Sequence, residues 1–168
     1  MATQFAPVRS ISLYEQDVHA WSIAQRAAIE GRRYDQLDWD QLAETLRDFQ
    51  IGLEEEIDNR LVILIEHLIK LSVSVDPNPR RIWWLSVREQ RREIERKLRK
   101  SPSLRPQFTQ MVEDTWETGA IKAQRGLLDH EAGAVPKVAA WLTPEQAMTI
   151  TDDAELRALA PRPQATQP

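Results

Sequence analysis

Residues 54–75 read EEEIDNRLVILIEHLIKLSVSV and are followed at once by Asp76-Pro77-Asn78-Pro79. Ile57, Leu61, Leu64, Ile65 and Leu68 recur at the helical period, which predicts an amphipathic helix and not a strand. The three glutamates at its start suit a helix N-terminus, where the macrodipole favours negative charge. The two prolines must stop it, because neither donates a backbone hydrogen bond and each disfavours helical geometry in the residue before it. A helix from Glu54 to about Val75 follows, with Leu61, Ile65 and Leu68 within about 60° of arc at the centre of a core. Glu66, His67 and Lys70 interrupt its apolar run, leaving it too short and too charged to span a bilayer.

The flanking sequence repeats this logic. Ser12 and Glu15 have capping-box spacing and Gly31 supplies a stop, so residues 13–30 read as a first helix with Tyr14, Val18, Trp21 and Ala28 on one stripe. Asp38 and Gln41 start a second helix, with Trp39, Leu42, Ala43, Leu46 and Phe49 at helical spacing and Gly52 as its end or kink. Beyond the prolines, a fourth helix from Trp83 to about Lys100 carries Glu93 with Lys97 and Glu95 with Arg99 in the favourable order. Ser101-Pro102-Ser103 closes it. A fifth begins after Ser103 with Pro106 in its first turn, carries Phe108, Val112, Trp116, Ala120, Ala123 and Leu127, and ends before Gly133 and Pro136. Thr143-Pro144-Glu145-Gln146 opens a short last helix. No segment alternates at period two and no long repeat is present. The expected fold is all-α: an antiparallel helical bundle of four to six helices, one domain over residues 12–160 between an N-terminal extension (1–11) and a disordered, Pro-rich tail (161–168).

The 168 residues carry 22 Lys plus Arg against 26 Asp plus Glu, a net charge of −4, with 42% apolar residues and six Trp. That suits a folded globular chain and argues mildly against nucleic-acid binding by the whole surface. The chain has no cysteine, which excludes a disulfide scaffold, a thiolate metal site and a cysteine nucleophile, and suits the cytoplasm. MATQFAPVRS offers no signal-peptide core. The chain has no P-loop, dinucleotide fingerprint or Gly-x-Ser-x-Gly, and only five glycines, so nucleotide and serine-nucleophile enzymes are not expected.

Several blocks occur in a characteristic order: LYEQD (13–17) with Ala20-Trp21, then Leu37-Asp38, Arg60-Leu61 through His67-Leu68, REQRREIE (88–95), and Ser101-Pro102-Ser103-Leu104-Arg105. Over roughly residues 12–150 the chain resembles the bacterial family called domain of unknown function 29. The resemblance implies an all-helical domain and, by the family's name, no described activity. Two places depart from it. The cluster of acids usual in the second helix is Gln41-Leu42-Ala43-Glu44-Thr45-Leu46-Arg47 here, with only Glu44 matching, and the tryptophan usual near the end of the third helix is Leu71.

Two polar groupings stand out. Glu56, Arg60 and His67 project within about 40° of one another on the third helix and border its apolar face, so they should occupy a seam between helices. Arg60 and His67, six residues intervening, also resemble the Arg–His motif of HEPN-type helical ribonucleases, although Leu61 stands where a polar residue usually follows the arginine. The plainer reading pairs Glu56 with Arg60 and gives His67 a local hydrogen-bond partner. On the fourth helix, Arg88, Arg92, Arg96 and Arg99 fall within about 80°, opposite Trp83, Val87, Ile94 and Leu98. This basic face suits RNA or, more simply, the acid-rich stretch 35–66 of this chain or of another.

Trp21, Trp39, Trp83 and Trp116 lie on apolar stripes and are expected in the core. Trp84 sits at a stripe edge, where it would cover a neighbouring helix or dock a partner, and Trp141 should pin the C-terminal segment. No Glu-x-x-His pair precedes His19, His67 or His130, and Glu15, near His19, is better used as a cap; no metal or other cofactor is expected. The functional expectation is a non-enzymatic interaction or oligomerisation module, binding a protein partner or its own copy and no membrane. The alternative is an RNA binder or HEPN-like ribonuclease using Arg60 and His67.

Overall fold

In the computed structural model, residues 12–127, Val135 and residues 140–161 are described. The expected N-terminal extension, the tail beyond Pro161, His130, Gly133 and Pro136 lie outside them. The chain divides into two compact units, Met1–Ile51 and Gly52–Pro168.

In the first unit, Ser12 and Glu15 form the expected capping box, but residues 13–30 are not one helix. Asp17 adopts an extended backbone (φ −157°, ψ 93°) and accepts a hydrogen bond from the Ala20 N–H. It thereby ends α1 (Leu13–Gln16) and caps α2 (Val18–Glu30). The stop after α2 also differs in detail: Gly31 keeps an ordinary φ of −82°, and Arg32 takes the left-handed conformation at φ 52°. Trp21 is buried and meets Tyr14 edge-on at 5.0 Å. Gln25 is buried because its side-chain oxygen accepts from the backbone N–H of Asp38. Asp38 in turn caps α3 (Trp39–Val73) through the Gln41 N–H.

The sequence-based stop at Gly52 is not observed: α3 runs unbroken for 35 residues. A single glycine inside a helix weakens it by about 1 kcal/mol but does not break it. Trp39 is likewise corrected; it is exposed, not core.

In the second unit, α3 ends where the prolines require. Ser74 and Asp76 order the turn by accepting from the Asp76 and Asn78 N–H groups. The next helix, α4 (Arg80–Lys100), starts three residues before the expected Trp83, with Pro79 as its N-cap residue. Arg80 donates to the Leu71 and Ser74 carbonyls, and Arg157 also donates to that of Ser74. These bonds satisfy carbonyls that a helix end leaves without partners. A 3₁₀ segment, Pro102–Gln107, leads into α5 (Phe108–Arg125). Two short helices follow, α6 (Pro144–Thr149) behind the expected capping box of Thr143 and Gln146, and α7 (Asp153–Leu159), capped by Asp152 and not anticipated from the sequence.

Side-chain contacts give the topology. Along α3, Glu56, Arg60, His67 and Leu71 meet Lys97, Gln90, Ser86 and Arg80 in turn, so α4 runs antiparallel to α3. On α5, Gly119 lies against Ile65 and Gly126 against Lys70, so α5 runs parallel to α3. The fold is thus the expected all-α bundle, with seven α-helices among the described residues: the break at Asp17 and the last helix α7 each add one, and the fusion across Gly52 removes one. Leu61, Ile65 and Leu68 are 0% exposed at its centre, with Val87 and Ile94 of α4 and Val112 and Trp116 of α5 in the same cluster. No helix among the described residues is long and apolar enough to cross a membrane.

Gly119 is where two helices approach closely. A Cβ there would lie 2.6 Å from Ile65 Cγ2 and 2.8 Å from Ile65 Cβ. Because Ile65 is fully buried and branched at Cβ, it has nowhere to retreat. Gly119→Ala should therefore destabilise the protein by about 1–3 kcal/mol through overpacking, despite alanine's better helix propensity. An increase in melting temperature would show that α5 shifts away freely.

Candidate functional site

Within the second unit, the seam between α3 and α4 holds the sequence-marked polar residues. Arg60 Nη1 donates to Gln90 Oε1 at 3.3 Å, and Arg60 Nη2 lies 3.6 Å from Glu56 and 4.0 Å from Glu93. Glu56 is closed off on its other side by Lys97. The Lys97 ammonium, with help from Arg60, holds the Glu56 carboxyl below its ordinary range, and Arg96, Arg92 and Arg60 do the same for Glu93. His67 stands two turns further along. Its Nδ1 lies 2.8 Å from the Ile63 carbonyl, which can only accept, so Nδ1 carries a proton and donates it there. Ser86 Oγ is 3.5 Å from the same nitrogen. No hydrogen bond or common partner joins Arg60 to His67 among the described residues.

The basic face of α4 is less positive than its sequence suggests. Arg92 binds Glu89 and Glu93, and Arg96 binds Glu93 at 2.5 Å. Arg88 and Arg99 are exposed. Trp84 is half-buried, and its Nε1 donates to Asp153 Oδ1 at 2.7 Å, so it covers α7. Asp153 also binds Arg80 Nε at 2.7 Å, and that guanidinium, followed by Trp84, holds its carboxyl low. Trp141 packs edge-on against Trp116 at 5.7 Å. In the first unit, Glu15 accepts from the Ser12 N–H as a cap, and His19 is exposed. No group of three or more His, Cys, Asp or Glu is placed to hold a metal ion among the described residues.

Three features were missed from the sequence. The first is Arg91, buried on α4, whose Nε and Nη1 donate to the Ala147 and Ile150 carbonyls at 2.8 and 2.7 Å. The second is an open groove of about 430 Å³ where Glu54 and Asp58 of α3 face Pro106, Gln107, Gln110, Met111 and Asp114. Desolvation, followed by repulsion from Asp114, Glu54 and Glu55, raises the Asp58 pKa above its ordinary value. The third is the apolar face of α3 in the first unit: Trp39, Leu46 and Phe49 are 62%, 64% and 64% exposed. Their helical spacing was legible, but whether another element covers them was not.

Asp58 yields a pH prediction. A carboxyl with a raised folded-state pKa loses stability as pH rises from its unfolded value through its folded value. Asp58→Asn should thus stabilise the protein at pH 7, by under about 1 kcal/mol after solvent screening, seen as a higher melting temperature. The gain should vanish near pH 3, where Asp58 is protonated in both states. An equal gain at pH 3 would assign it to packing instead.

A family model described as Domain of unknown function DUF29 matches residues 13–150. No curated protein and no solved structure matches the chain.

Proposed function

The chain belongs to the DUF29 family, and from that premise we propose that it is a non-enzymatic protein-interaction module acting through its surface. The observation that carries this reading is the apolar face of α3, where Trp39, Leu46 and Phe49 stand in solvent at one-face spacing. Exposed aromatic and aliphatic groups in such a row are the usual anchors of a protein contact. The polar seam supports it from the other side. Arg60 is engaged by Gln90 and flanked by Glu56 and Glu93, and His67 is held to its own helix backbone. A ribonuclease pair would instead need both groups free to converge on one phosphate. Glutamates also neutralise two of the four arginines of the basic face. A cytoplasmic setting, suited to the cysteine-free composition, belongs to the same proposal.

The test is a photo-crosslinking side chain placed at Phe49, with exposed Gln124 as control, in cells that naturally make the protein. Protein adducts should form from position 49 and disappear when Leu46→Glu interrupts the stripe. The reading fails if position 49 gives no protein adduct. It also fails if purified protein cleaves RNA and His67→Ala abolishes that activity at an unchanged melting temperature.

A further inference from the structure

The exposed face of α3 has a pattern specific enough to name its occupant. Trp39, Leu42, Leu46 and Phe49 are spaced three, four and three residues apart, the alternation of a coiled-coil seam. At 100° per residue they fall within about 80° of arc. The four charged residues of the same segment, Asp40, Glu44, Arg47 and Asp48, all lie about 120° or more from the centre of that arc. The positions flanking the seam are Ala43, Thr45, Gln50 and Gly52. Apart from Asp38, whose carboxylate is tied to the Gln41 N–H as the cap, the seam and its borders are therefore uncharged, so a partner chosen by charge finds little to read, whereas an identical helix meets no like-charge repulsion.

Among the described residues the second half of the segment also lacks cover, while Leu42 is half-buried. Leu46 to Gly52 are all exposed, and a Cβ added to Gly52 would meet nothing within 4 Å. Most helical stability in proteins comes from packing an apolar face.

We propose, resting on the interaction reading above, that this face pairs two copies of the chain as antiparallel helices about a two-fold axis at the level of Glu44. In that register Trp39 of each copy stands opposite Phe49 of the other, and Leu42 opposite Leu46, so aromatic meets aromatic and leucine meets leucine. The pairing is isologous and closes at two copies. Four apolar side chains and their flanks cover roughly 500 Å² per copy, given ~150–250 Å² for a fully buried aromatic. The pair thus reaches about 1,000 Å², the lower end of specific interfaces, so the dimer is a weak, concentration-dependent one.

The full chain is tested by sedimentation equilibrium at concentrations from about 1 to several hundred µM, at low and high salt. The mass should rise toward twice the 19.4 kDa of one chain, with little salt dependence because the seam carries no charge. Leu46→Glu and Phe49→Glu should each hold it at one chain, with unchanged helical circular dichroism because both positions are exposed. Register is read by cysteines, since the chain has none of its own. Under oxidation, Trp39→Cys copies should cross-link to Phe49→Cys copies and not to one another, because two Trp39 positions would lie ~15 Å apart along the helix axis. A monomer at every concentration overturns the proposal, even if position 49 then cross-links a different protein and the interaction reading stands. A dimer that survives both glutamate variants, or Trp39→Cys copies that cross-link to one another, overturns it equally.

Discussion

Leu61→Ala is expected to lower the free energy of unfolding by about 2–5 kcal/mol, the range for truncating a buried leucine. Leu61 is 0% exposed at the centre of α3, and Ile57, Leu64 and Ile65, one turn to either side, and Leu68, two turns on, are equally buried. Truncation forfeits the transfer free energy of three carbons and leaves a cavity. How far that cavity collapses decides where in the range the loss falls. Collapse is restricted here because Gly119 already brings α5 against Ile65, and the ion pairs and hydrogen bonds of the α3–α4 seam fix the second helix. The upper half of the range is therefore expected. Urea titration should show a lower midpoint with an unchanged slope. Leu85→Ala, at a position 47% exposed on α4, should lose less than about 1 kcal/mol. Equal losses for the two variants would mean that the centre of the core lies elsewhere.

Much of this architecture was legible because several local signals agreed. In residues 54–75, period, N-terminal acids and proline stop all point to one helix, and the core residues read from it are the buried ones. The capping boxes at Ser12 and Thr143 were likewise legible, since each combines two reciprocal hydrogen bonds at fixed spacing. Failures came where one residue had two uses. Asp17 lies inside a helical pattern, yet its carboxylate satisfies the Ala20 N–H and turns the chain. Gly52 marks an end or a kink by its sequence, and the end is not there, because a lone glycine is only a weak helix breaker. Trp39 and Phe49 have core spacing without a covering element, because periodicity defines a face and says nothing of what meets it. The groove around Asp58 required knowing that α5 runs alongside α3, a long-range fact that no local pattern carries.

Arg91 is the most instructive of the missed residues, and its replacement carries the second large expected effect. On α4 it sits about 50° from the centre of the stripe formed by Trp83, Val87, Ile94 and Leu98, the side that turns inward. Its neighbours Arg88, Arg92, Arg96 and Arg99 point the other way, so a run of arginines concealed one with a different environment. It is 8% exposed and has no carboxylate partner among the described residues. Desolvation pulls its pKa down to about 10, which still leaves it charged at working pH. Its stabilisation comes from the Ala147 and Ile150 carbonyls, at the end of α6 where unpaired carbonyls give a helix partial negative charge. Arg91→Met keeps most of the length and apolar stem but removes both donors. Two carbonyls then lose their partners, at ~1–3 kcal/mol each. Relief from burying an uncompensated charge offsets part of that loss. A net destabilisation of about 2–4 kcal/mol is expected, with protease cleavage around residues 143–150 ahead of global unfolding. Arg91→Lys should fall between, because a single ammonium cannot reproduce the two-pronged geometry. Arg88→Met, on the exposed face, should stay within about 0.5 kcal/mol of the parent. If Arg91→Met also stays within that margin and residues 143–150 remain protected, water must reach the two carbonyls, and α6 is held by the apolar contacts of Ala147 and Ile150 alone.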